Sequence, residues 1–109
     1  MNQFKFGLNT STIRPAGLMD KIKIAASAGY EAIELWNDDL TEYEENGGSL
    51  TDIKSALEDH GLIVPTVIAL HGWLNTTGDA YIQAIEEAKR RMNQAISIGS
   101  QRIVASPPM

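Results

Sequence analysis

Glu34 stands between Ile33 and Leu35 in the apolar stretch Ala32-Ile33-Glu34-Leu35-Trp36. A carboxylate in such surroundings is costly unless it meets a hydrogen-bond partner, a hydroxylated ligand or water. If Ile33 and Leu35 face covering helices, Glu34 and Trp36 face the other side of the sheet. Two readings stay open there: a ligand contact, or a structural carboxylate paired with Arg102 or Lys5. Asn9 ends a second alternating stretch, and its amide can both donate to and accept from a sugar hydroxyl. It can equally close a turn on its own backbone. Trp36 and Trp73 offer apolar walls to a sugar ring, or simply cap a core. His71 can act as ligand, general base or donor, or stand exposed in a loop. His60, in the last turn of a helix, suits the helix dipole, and no catalytic role is expected of it.

The elements that must carry these residues alternate. Phe4, Phe6 and Leu8 set a period-two strand with one apolar face. A polar loop over Thr10 to Arg14 follows, and Pro15 can open the first helix. Leu18, Ile22, Ala25 and Ala26 keep helical spacing, and Gly29 suits a left-handed cap. The second strand is Ala32 to Trp36, followed by an acidic loop from Asn37 to Gly48. That run, with Asp38, Asp39, Glu42, Glu44 and Glu45, lacks calcium-loop spacing and reads as solvated. Ser49 with Asp52 resembles a capping box for a second helix with Leu50, Ile53 and Leu57 on one face. Leu62 to Leu70 reads as the third strand, with a bulge or edge position at Pro65. The third helix puts Tyr81, Ile85, Ala88, Met92, Ala95 and Ile96 on one face and ends at Gly99. A fourth strand begins near Gln101.

Strand–helix units repeated three times, plus a fourth strand, predict an α/β fold with a parallel sheet. Ligands on such folds bind at the C-terminal strand ends. A closed eight-stranded barrel takes about 250 residues, so 109 residues are expected to form its N-terminal half, one domain over 1–109 truncated after strand four.

Hydrophobic residues make up 43% and charged residues 21%, the balance of a globular protein. The net charge of −5, with no basic cluster denser than Lys89-Arg90-Arg91, argues against nucleic-acid and membrane partners. Absence of cysteine excludes disulfides, thiolate metal sites and a cysteine nucleophile. The start, Met1 to Lys5, lacks a signal-peptide layout. No apolar run approaches the ~20 residues of a membrane span, and a cytoplasmic location is expected. No phosphate loop, nucleophile elbow or zinc array occurs. Asn75-Thr76-Thr77 matches a glycosylation sequon, which means little without a secretion signal.

Phe6-Gly7-Leu8-Asn9-Thr10, Gly29 to Trp36, and Arg102-Ile103-Val104-Ala105-Ser106-Pro107 together resemble the xylose isomerase-like TIM barrels, the sugar phosphate isomerase/epimerase superfamily. The likeness is nearest to the inosose isomerase-like branch. That branch shares the Tyr30-x-x-Ile33-Glu34 strand before an acidic stretch, the Pro65-containing strand running into aromatic residues, and the Val104-Ala105-x-Pro107 ending. The resemblance covers the chain and the N-terminal half of the family barrel. It implies an isomerase or epimerase acting by metal-assisted proton transfer next to a carbonyl, with a small sugar or polyol-derived substrate. A dehydratase on the same scaffold, or a non-catalytic half-barrel binding module, is the alternative. The family implies a divalent metal (Mn, Zn, Co or Mg) for the full barrel, held from strands five to eight, so none is expected in this chain. Ser106 stands where members with more metals often carry a histidine. Glu34, Asn9, Trp36 and the loop around Trp73 carry over as pocket-wall positions, with His71 beside them. The chain alone is expected to be inactive and to self-associate through half-barrel edges.

Overall fold

The computed structural model describes residues 4–108. Met1-Asn2-Gln3, read above for a signal layout, and Met109 lie outside them. Four strands form one sheet in the order β1-β2-β3-β4: β1 Gly7–Asn9, β2 Ala32–Trp36, β3 Val67–Leu70 and β4 Ile103–Ala105. Every neighbouring pair is parallel. The register sets Asn9 beside Glu34 and Trp36 beside Ile68.

Four helices connect the strands: α1 Leu18–Ser27, α2 Asn37–Glu45, α3 Leu50–Asp59 and α4 Gly78–Ser97. Ile33 and Leu35 of β2 are fully buried against Ile22 of α1, Leu40 of α2 and Ile53 of α3 in one core. The alternation along β2 thus puts Glu34 and Trp36 on the opposite face, where both remain half-buried. Parallel strands need crossovers, and the crossovers lay their apolar stripes on a single side here. Gly29 after α1 and Gly99 after α4 take φ of 90° and 89°, the left-handed turn that reverses the chain toward the next strand.

Several sequence expectations shift. The acidic stretch from Asn37 is a helix through Glu45, because Asp38 and Asp39 favour its N-terminal turn and Leu40 anchors it in the core. Its acids are also not all solvated: Asp39 is partly buried where Lys21 Nζ meets it at 2.7 Å, while Asp38 stays exposed although Arg91 reaches it at 2.7 Å. Pro15 does not open α1. A 3₁₀ turn over Thr10–Ile13 comes first, and Gly17 is the N-cap of α1. The third strand keeps only Val67–Leu70. Pro65, without an N–H, interrupts the ladder, and upstream Ile63 makes one isolated bridge to Ala32. Strand four begins at Ile103. Ser49 Oγ caps α3 by accepting from Thr51 N at 3.2 Å, but Asp52 does not return the bond; it accepts from the Tyr43 hydroxyl.

Phe4 and Phe6 precede β1 and are largely exposed, as is Ile96 on α4. The apolar faces read for these elements are therefore only partly covered by the described residues.

Candidate functional site

Adjacent register turns three separate sequence signals into one cluster. Asn9 Nδ2 donates to Glu34 Oε1 at 2.5 Å, across the β1–β2 pair. Thr66, just before β3, donates its hydroxyl to Glu34 Oε2. The carboxylate is thus gripped from both flanking strands by neutral donors. Neither Lys5 nor Arg102 pairs with it, which overturns the ionic pairing considered above.

Asn9 serves two purposes. While its amide nitrogen meets Glu34, its Oδ1 accepts from Ser11 N at 2.8 Å and starts the 3₁₀ turn. The turn and binding readings of Asn9 are therefore compatible. Thr10 Oγ1 donates to the Glu34 carbonyl at 3.0 Å and ties the same turn to β2. Ser11 Oγ accepts from Trp36 Nε1 at 2.9 Å, which orients the indole. The Arg14 guanidinium sits 5.4 Å from the Trp36 ring centroid, a cation–π distance. Asn9, Glu34 and Thr66 line one shallow hollow together with Gly7 and Pro65.

The β3 loop is placed differently. His71 is exposed and Trp73 is half-buried. Trp73 Nε1 is buried without a hydrogen-bond partner, and no hydrogen bond links either residue to Glu34. The structure thus gathers Asn9, Glu34 and Trp36 and leaves His71 and Trp73 on a separate loop. His60 is the exposed C-cap of α3. Sequence reasoning missed Thr66. Its signal was parity with buried Val67, which puts Thr66 on the face of Glu34.

Among the described residues no three His, Cys, Asp or Glu side chains converge as metal ligands. Both Glu34 oxygens are already engaged. The resemblance places the ligands of its divalent metal on strands five to eight, and the four strands here hold no such set among the described residues. Among the described residues no helix is long and apolar enough to cross a membrane.

No protein-family model and no curated protein matches the chain. Solved structures do. The IOLI protein with a bound zinc atom superposes with a TM-score of 0.84 at 25% identity, over 96% of this chain and 38% of that one. A xylose isomerase-like TIM barrel/4-hydroxyphenylpyruvate dioxygenase fusion protein gives 0.82 at 18% identity, over 99% of this chain and 17% of that one. D-psicose 3-epimerase in the presence of D-fructose gives 0.70 at 19% identity, over 94% and 37%. The chain spans less than two fifths of the length of each structure. Its four parallel strands and their helices have the fold of half a xylose isomerase-like TIM barrel.

Proposed function

We propose that this chain supplies a substrate-binding wall of a sugar isomerase/epimerase-like barrel enzyme, and that Glu34 is the residue that grips the sugar. The observation that carries this reading is the Glu34 carboxylate in the middle of β2, on the face opposite the helix-packed core and held by Asn9 and Thr66. An ionised carboxylate offers about four lone-pair sites. Two are taken within the chain, so two are left for hydroxyl groups. A hydrogen bond to a charged group contributes ~1.5–3 kcal/mol. Two such bonds match the ~4 kcal/mol of a millimolar sugar complex.

Trp36, oriented by Ser11, offers a flat apolar wall one pleat from Glu34. The likeness to D-psicose 3-epimerase supports a ketose or related polyol as the ligand class. Isomerisation and epimerisation of such sugars share one requirement, proton transfer at the carbon next to the carbonyl. In this reading Glu34 holds and orients the substrate for that step, with one lone pair on each oxygen fixed by Asn9 and Thr66 and the others open to hydroxyl groups. Orientation of this kind lowers the barrier by removing wasted conformations. The proton transfer belongs to the whole barrel, and the chain by itself is inactive.

Titration of the chain with D-fructose, followed through ¹H–¹⁵N resonances, tests the reading. Signals of Asn9, Trp36 and Thr66 shift together on binding. Glu34→Gln keeps the size and loses the charge, and weakens the complex about tenfold, ~1.4 kcal/mol. A folded wild-type chain with no shift at those three residues sinks the proposal.

A further inference from the structure

Arg91 is the least exposed arginine of the described residues, with 11% of its side chain accessible. Its guanidinium meets three elements at once. Nη1 donates to the Ala69 carbonyl of β3 at 2.9 Å, Nη2 to Asp38 of α2 at 2.7 Å, and Nε to Glu87 of its own helix at 3.1 Å. The Ala69 contact has a cause. The β3–β4 register steps from Ile68 beside Val104 to Leu70 beside Ala105, so Ala69 is skipped. A buried carbonyl at such a bulge needs a donor, and bulges re-aim the chain that follows. That chain is the His71–Trp73 loop.

The other end of the grip is the start of α2. The Arg91 backbone carbonyl accepts from Asn37 Nδ2 at 3.1 Å, and Asn37 is fully buried. Asn37 directly follows Trp36. One side chain and its own carbonyl therefore tie the end of β2 to the end of β3.

We infer that Arg91 is a positioning residue that sets the gap between Trp36 and the His71–Trp73 loop. For what that gap admits, the inference rests on the sugar-binding reading above; for the bracing itself it does not. The planar fork of an arginine meets the three acceptors together, and a lysine ammonium cannot reproduce that geometry.

The two indole N–H resonances report the result. Trp36 Nε1 is bonded to Ser11 and Trp73 Nε1 is buried without a partner, so each is sensitive to displacement. Arg91→Met and Arg91→Lys both shift the two indole signals and weaken D-fructose binding fivefold or more. Asp38→Asn, which loosens only the α2 side, moves Trp36 and leaves Trp73 in place. Shifts confined to α4 amides, with both indoles unmoved, overturn the inference. If Arg91→Met does not fold, unmoved indoles in Arg91→Lys and Asp38→Asn overturn it equally. A wild-type chain without a D-fructose response, whose indoles still move in the Arg91 variants, removes the sugar-binding reading and leaves the bracing intact.

Discussion

Glu87 sits between two guanidinium groups on one face of α4. Arg90 reaches it at 2.5 Å and 2.8 Å, and Arg91 at 3.1 Å. The Arg90 hydrogen bond, joined by that of Arg91 and by both charges, pulls its carboxyl from 4.5 down to about 2, against a smaller upward push from burial. A carboxyl whose pKa is lower folded than unfolded adds stability above the unfolded value and loses it as pH falls through the folded one. The window here runs from about 4.5 to about 2. The side chain is 45% exposed, so solvent screening limits the contribution to ~0.2–1 kcal/mol. Glu87→Gln is expected to be less stable than wild type by that amount at neutral pH and equal to it near the acid end of the window. Urea midpoints measured across the window check this; a gap that stays constant with pH excludes the assignment. Glu34 and Trp36 were legible in the sequence because period-two alternation is a local property. The Glu34–Thr66 bond spans 32 positions and the Arg91–Asp38 pair spans 53, and contacts of that range leave no periodic trace.

Among the elements, α1, α3 and α4 announced themselves through apolar residues at helical spacing, and α2 did not. Its inward face is Asn37, Leu40 and Thr41, with Tyr43 partly buried against the core and Glu44 exposed at the rim. Leu40 is the apolar anchor, while Asn37 Nδ2 donates to Gln94 Oε1 at 3.0 Å, and Gln94 Nε2 donates to Thr41 and Glu44 at 3.0 Å and 2.8 Å. A helix docked through polar groups shows no hydrophobic stripe, so the segment read as an acidic loop. With so few apolar contacts, α2 depends on Leu40 more than the other helices depend on any one residue. Leu40 is fully buried, and Leu40→Ala is expected to cost ~2–5 kcal/mol by lost transfer energy and a residual cavity. Exposed Glu42 on the same helix provides the control, since Glu42→Ala should stay within about 0.5 kcal/mol of wild type. Denaturant titrations of the two variants decide it. A Leu40→Ala loss no larger than that of Glu42→Ala means α2 is not packed as described.

The whole molecule is an open slab. Its radius of gyration is 14.7 Å and its extents are 49 × 34 × 23 Å. A compact domain of this length has a radius of about 13 Å. The excess follows from a sheet that has helices on one face and ends at β1 and β4, each with one unpaired edge among the described residues. Apolar side chains gather at both flanks: Phe4 and Phe6 next to β1, Val104 on β4, and Ile82 and Ile96 on α4. Unpaired edges with apolar neighbours invite pairing with another chain, and charges on them oppose it. We propose that the chain on its own self-associates, with the β4 edge of one copy against the β1 edge of the next. Sedimentation velocity is expected to give a mass well above the 11.9 kDa of one chain, falling on dilution. Phe6→Lys and Ile96→Glu place charge at opposite flanks, and each is expected to raise the monomer fraction. The control Glu42→Lys, on the exposed surface of α2, which packs on the central strands β2 and β3, should leave it unchanged. A wild-type chain that stays monomeric at high concentration, with sharp near-UV dichroism from Trp36 and Trp73, rules the association out. It would also show that helix packing on one face suffices to hold four strands.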